Sequence, residues 1–382
     1  MLVLSTAMGQ VPTVPVFTAG TEGHQSYRIP AVLAWPDGQL LAFAEGRVHG
    51  SADFGDINIV MKRSSDGGKT WSPLQTVVDY DQLQAGNPAP VVDLTDPRYP
   101  GGRLFLFYNT GNNHENEVRN GKGWREVWYK ASVDAGRTWS DAVNITTQVH
   151  RPLQLAAKAA YAFAEDWRSY ANTPGHATQF RSGVYKGRIF VAANHSAGPP
   201  QPQFQDYAAH GFYTDDHGET FQLAASLPVP GSNEATAAVL SHGRLLLNSR
   251  NQRGDVRARI VAISSTGGQT WDTTYFDKAL PDPVCQGSLL ELYDRRGKRS
   301  HRRPAVLAFC NAADTLRRDR LTLRLSYDEG RTWPVSHLVY QQPALPDAAA
   351  YSDLVPIGRR QVGVLFEKDN YAQIAFGILT WR

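Results

Sequence analysis

One eight-residue pattern returns along the chain, and its recurrence constrains the fold more than any other feature. It reads Ser64, Asp66, Gly68, Thr70 and Trp71, with one variable residue between each of the first four. The same spacing holds Ser132, Asp134, Gly136, Thr138 and Trp139, and again Ser326, Asp328, Gly330, Thr332 and Trp333. Weaker copies run from Thr214 to Phe221 and from Ser264 to Trp271, the latter with Thr266 in the place of Asp. The chemistry is that of a tight turn. Asp accepts backbone N–H bonds, Gly takes the left-handed conformation, and the aromatic buries itself beyond the turn. A supersecondary unit is therefore copied along the chain.

Two further series keep step with these turns. Apolar runs of strand length end in polar residues, as in Leu40 to Glu45, Leu104 to Asn109, Ile189 to Asn194, Leu245 to Arg250, Ala305 to Asn311 and Val362 to Glu367. Just upstream of each, a polar residue opens another apolar strand: Arg28, Asn87, Thr178, Glu234, Gln286 and Tyr351. Six units of about 60 residues, each with about four short strands, predict an all-β fold: a six-bladed β-propeller of four-stranded antiparallel blades. The 33 Gly, 23 Pro and nine Trp suit such a turn-rich body. A single domain over 1–382 follows. A strand at about 11–18 is expected to close the last blade, and a helical insertion is expected at about 152–170.

Topology then nominates one face. First strands start there, second strands end there, and the loops that follow second strands lie there too. The starts bring Arg28, Asn87, Glu234, Gln286 and Tyr351, and the ends bring Glu45, Arg47, Asn194, Arg250 and Glu367. Asp53 lies in a loop flanked by Gly50 and Gly55, and Arg318 in another with Arg317 and Arg320 as neighbours. The Asp-containing turns fall on the opposite face, which makes them structural.

Net charge is only +3, from 39 basic and 36 acidic residues, and carries no nucleic-acid or membrane footprint. Locally the picture differs. Arg28, Arg250 and Arg318 around one hollow call for an anionic guest, because each Arg–carboxylate contact is worth about 1.5–3 kcal/mol. Glu367, brought beside Arg28 by ring closure, is expected to orient that Arg. A lone Tyr351 is most simply a core residue. With Glu234 as a base on the same face it is a candidate nucleophile, and being neutral it is not repelled by a carboxylate beside the reacting carbon. Asp53 is placed to protonate a leaving group.

These residues resemble the sialidase (neuraminidase) family of bacteria and animals over nearly the whole chain. The resemblance rests on Tyr27-Arg28-Ile29-Pro30, on Glu45-Gly46-Arg47 and on the Asp-containing boxes. Asn233-Glu234, Cys285-Gln286, Tyr351-Ser352-Asp353 and Phe366-Glu367 support it. It implies a retaining exo-α-sialidase acting on terminal sialic acids of glycoproteins, glycolipids and oligosaccharides, with Tyr351 as nucleophile, Glu234 as its base and Asp53 as acid/base. It further implies that Arg28, Arg250 and Arg318, or one of the last one's neighbours, grip the sialic acid carboxylate. Glu367 then steadies Arg28, and Arg47, Gln286 and Asn87 line subsites. Trp167 and Pro174-Gly175-His176 match a family segment on the rim.

A sialic-acid-binding propeller without catalysis is the alternative, as is a hydrolase or transglycosidase for a related nonulosonic acid. No cofactor or metal is implied, since metal-ligand spacings and phosphate-binding loops are missing. A monomer is expected. Met1 to Pro12 has no secretory pattern, which leaves a cytoplasmic protein or a secreted one whose signal has been removed. Cys285 and Cys310 are expected to be free thiols close together in one blade.

Overall fold

The computed structural model describes residues 10–153, 161–292, 304–358 and 360–381. It is an all-β propeller, but not six separate four-stranded blades. Four blades stand as separate sheets. One orders Thr13–Thr18, Gln373–Thr380, Gln361–Lys368 and Ala349–Ile357. A second has five strands around Ile189–Ala197 and Tyr207–Thr214. Two more begin with Ser232–Val239 and with Gly287–Leu292 and have four strands each. The remaining strands share an eight-stranded sheet. Its two antiparallel runs start at Ser26–Ala34 and Gln84–Asp93, and Ile57–Ser64 joins them by pairing in parallel at Ile57 and Gln84. That parallel contact overturns the expectation of six blades.

The helical reading of 152–170 is also corrected. Trp167–Asn172 is a strand paired with Ile189–Ala197, and Leu153 bridges Ala162. Residues 154–160 lie outside the described part. Short helices occur instead at Glu115–Arg119 and Thr146–Val149. No described helix is long and apolar enough to cross a membrane.

The core lies between sheets because strand side chains alternate. In Arg103–Gly111, Leu104, Leu106 and Tyr108 face a cluster with Phe43 and Met61, whereas Phe105 and Phe107 face Val191 and Phe212. Full burial of each such side chain is worth about 1.5–3 kcal/mol.

The repeated turns staple one unit to the one before. Asp66 accepts N–H bonds from Lys69 and Thr70, both at 3.0 Å, and the Thr70 hydroxyl at 2.6 Å. Ser64 Oγ accepts the Gly68 N–H at 2.8 Å. Gly68 has φ +92°, and a Cβ there would lie 2.2 Å from the Phe376 ring. Trp71 then packs edge-on against the same Phe376, as Trp139 does against Phe43 and Trp271 against Phe190. Thr266 does not alter its turn: its hydroxyl accepts the Thr270 N–H at 2.9 Å where Asp would.

Candidate active site

Four first strands carry a register break just where they enter the central cavity, between Arg28 and Ala31, Gly86 and Ala89, Ser232 and Ala235, and Ala349 and Ser352. Such bulges re-aim side chains. They deliver Arg28, Asn87, Glu234 and Tyr351 to one place. Ile29 and Asn87 hold φ of +57° and +54°, an uncommon conformation that a β-branched Ile adopts only under constraint.

The cavity has a volume of about 250 Å³. Arg28, Arg47, Asp53, Asn87, Glu234, Arg250, Arg318 and Tyr351 all line it. At its floor the Tyr351 hydroxyl donates to Glu234 Oε1, whose other oxygen accepts Arg250 Nη1 at 2.7 Å. Arg250 Nη1 also donates to the Tyr351 oxygen at 3.1 Å. The Arg28 and Arg318 guanidinium carbons lie 5.5 and 5.7 Å from the Tyr351 ring centroid. Three arginines from separate strands or loops therefore surround one phenol.

Burial, and then the Glu234 charge, push the Tyr351 phenol well above its usual value, although Arg250 and Arg318 pull it down. The phenol is neutral at rest. The protein mass on the cavity side of Asp53 desolvates its carboxyl in part and acts to raise it, but Arg47, Arg28 and Arg318 outweigh this and hold the group below its usual range. Arg47 Nη1 reaches Asp53 Oδ1 at 2.7 Å and the Ser51 carbonyl at 2.5 Å, while its Nη2 donates to Glu45 at 2.7 Å. Arg47 thereby staples the Asp53 loop to the cavity wall. The Asp53 side chain itself is 77% exposed.

Two residues expected at the site do not line the cavity. Glu367 lies behind it, accepting Arg28 Nε at 2.6 Å, the Ile29 N–H at 2.9 Å and the Tyr351 N–H at 3.1 Å. One buried carboxylate thus orients an arginine and the backbone of the phenol. Gln286, 1% exposed, makes paired bonds with the Ser352 backbone at 2.9 and 3.0 Å, so it braces the Tyr351 strand. Of the loop candidates, Arg318 is the one that reaches the cavity. Its Nη1 donates to the Tyr371 hydroxyl at 2.8 Å.

Several lining residues had no signal in the repeats. Glu115, Arg125, Tyr207 and Phe204 form the far wall. The Tyr207 hydroxyl donates to Glu115, and the Arg125 guanidinium donates to the Trp124 and Asn113 carbonyls. These residues lie in connections after second strands and on neighbouring edges, where no unit repeats another. His176 does not line this cavity; it is half-buried and paired with the buried Asp353, and Trp167 stacks on His195 at 3.5 Å between ring centroids. Cys285 and Cys310 are free and lie in different apolar clusters.

Residues 38–364 match the BNR repeat-like domain family. The chain is 33% identical to the sialidase of Micromonospora viridifaciens over 95% of its own length, and it spans about half (53%) of that protein. It is 28% identical to Sialidase-2 of Mus musculus, covering 98% of this chain and 97% of the mouse protein. The solved Hadza microbial sialidase Hz136 superposes with a TM-score of 0.78 at 26% identity, covering 96% of this chain and 68% of that one.

Proposed function

We propose that this chain, which belongs to the sialidase family of BNR-repeat proteins, is a retaining exo-α-sialidase that releases terminal sialic acid from glycoconjugates. The reading rests on one observation: the Tyr351 hydroxyl donates to Glu234 inside a ring of Arg28, Arg250 and Arg318. A binding module needs the arginines alone, whereas a phenol joined to a carboxylate suits a nucleophile with its base.

The substrate carboxylate takes its place against the three arginines, and a neutral phenol approaches the adjacent anomeric carbon without charge repulsion. As the phenolic oxygen bonds to that carbon, its proton passes to Glu234. The glycosidic bond breaks, and the leaving oxygen takes a proton from Asp53. Asp53 is ionised in the empty site, so it must acquire that proton on binding. The incoming carboxylate offsets Arg28 and Arg318, two of the charges that hold Asp53 low. Water then attacks the anomeric carbon and gives its proton to Asp53. The phenolic oxygen departs and recovers its proton from Glu234. Two displacements at one carbon retain the α-configuration.

Proton NMR of a sialyllactose digest tests this directly, with the α-anomer of free sialic acid as the first product. Tyr351→Phe lowers turnover by about 10³-fold or more. A β-anomer appearing first, or near-wild-type turnover by Tyr351→Phe, would refute the mechanism. Binding of the sialoside with no turnover by the wild type would favour a lectin-like role.

A further inference from the structure

A short strap crosses the axis beneath the cavity and bonds to the inner strands around it. The Thr173 hydroxyl donates to the Ala235 carbonyl at 2.7 Å, next to Glu234. The Pro174 carbonyl accepts the Gln286 amide at 3.0 Å, the same amide that holds Ser352 next to Tyr351. The Ala177 N–H reaches the Pro90 carbonyl at 3.0 Å. His176 completes the strap. Its N–H and Nδ1 meet the two oxygens of Asp353 at 3.0 and 2.7 Å, and Asp353 also accepts the Val32 N–H at 2.8 Å.

Asp353 is fully buried, and among the described residues His176 is the one side chain bonded to it. A buried carboxylate without a cation is costly, so this contact carries the charge balance of the axis. Burial works against a charged His176, but Asp353 outweighs it and the imidazole titrates above its usual range. Besides His176 itself, Arg181 and Glu291 are the charged side chains that line the cavity of about 420 Å³ there, among the described residues. The strands bearing Val32, Pro90, Ala237 and Leu354 face it with apolar residues. At Gly175, φ is +104° and a Cβ would stand 2.9 Å from Asp353 Oδ1, so the strap fits only in this form.

We propose that His176, as a cation paired with Asp353, is a positioning residue that fixes Tyr351 against Glu234 across the propeller axis. This rests on the reading of Tyr351 and Glu234 as the reacting pair. His176 does not touch Arg28, Arg250 or Arg318, so its effect falls on the chemical step and not on capture of the substrate.

The test is steady-state kinetics of wild type, His176→Ala and His176→Asn on a fluorogenic α-sialoside from acid to alkaline pH. Circular dichroism checks that each variant is folded. For His176→Ala, kcat falls about 10- to 100-fold while KM stays within about threefold, the loss expected for one charged hydrogen bond. His176→Asn keeps a donor toward Asp353 and folds if the alanine variant does not. Being neutral, it holds at neutral pH the lower kcat that wild type reaches once the imidazole has lost its proton, and it lacks that alkaline step. A structural role alone would lower stability and leave that limb in place. An unchanged alkaline limb in His176→Asn, or a loss carried by KM, would overturn the positioning role while leaving the sialidase reading intact. A wild type without turnover would overturn both.

Discussion

Replacing Glu367 with Gln keeps the shape of the side chain and removes its charge, which makes it the sharpest probe of how the site is held. The native carboxylate serves Arg28 and Ile29 through one oxygen and Tyr351 through the other. An amide has one oxygen, so in either orientation an NH₂ group confronts a donor. If it faces Tyr351, one backbone N–H is left unpaired at about 1–3 kcal/mol. In either orientation the nearly buried Arg28 guanidinium loses its counter-charge, and breaking a buried pair costs about 3–5 kcal/mol. The two penalties overlap, so about 3–5 kcal/mol is expected in urea unfolding. The same change loosens one carboxylate-gripping arginine and the nucleophile's backbone, so kcat/KM on an α-sialoside falls about 10- to 150-fold, the equivalent of about 1.5–3 kcal/mol. Glu329→Gln is the control. Glu329 lies in the last box turn and accepts Ser241 N–H, Ala305 N–H and Arg244, so its loss lowers stability and leaves kcat/KM unchanged. A folded Glu367→Gln protein with kcat/KM within threefold of wild type would refute the reasoning.

Two pH predictions concern parts of the fold away from the chemistry. Burial acts to raise the Asp134 carboxyl, but its Thr138 and Ser132 bonds hold it at about 2, so its contribution is full above the ordinary value of 3.8 and is lost as pH falls toward about 2. Asp134→Asn should therefore flatten the acid limb of the urea midpoint across that window, and an unaltered slope would count against the turn's role. His210, fully buried against His195, Trp167 and Tyr170, is pushed by burial from 6.5 to about 3. A neutral buried imidazole contributes fully above 6.5 and loses stability as pH falls, by up to about 1.4 kcal/mol per pH unit. In His210→Gln the slope between those pH values shrinks by about one proton, and an unchanged slope would show that His210 titrates normally.

The parts of the molecule legible in the sequence are those that repeat or that stand at strand ends. The box turns could be read because Asp, Gly and Thr each satisfy a local backbone demand. Glu367 could be set beside Arg28, 339 residues away, because a closed ring makes last and first units neighbours. Contacts between units escaped. The parallel bridge of Ile57 and Gln84, which merges two runs into one sheet, depends on how closely two backbones approach and has no residue signature. Trp167–Asn172 lies beyond an Ala-rich stretch that favours helix, yet Trp167 and Tyr170 pack into the histidine cluster as a strand. Gln286 stands at a strand start like Arg28 and Tyr351. Only the structure reveals that its amide matches the Ser352 backbone and turns away from the cavity.

The sheet that carries Tyr351 and Glu367 is finished by Thr13–Thr18, the first described strand, pairing with Gln373–Thr380, the last. During synthesis that union must wait until all the other described strands have been made. Until then Thr13–Thr18 has no partner strand, Arg28 lacks its carboxylate, and the inner strands await the sheet that packs beside them. Early units emerge with open edges that can pair wrongly with other nascent chains. Assembly of the cavity therefore waits on Gln373–Thr380, the strand that joins Thr13–Thr18 to the sheet of Tyr351 and Glu367.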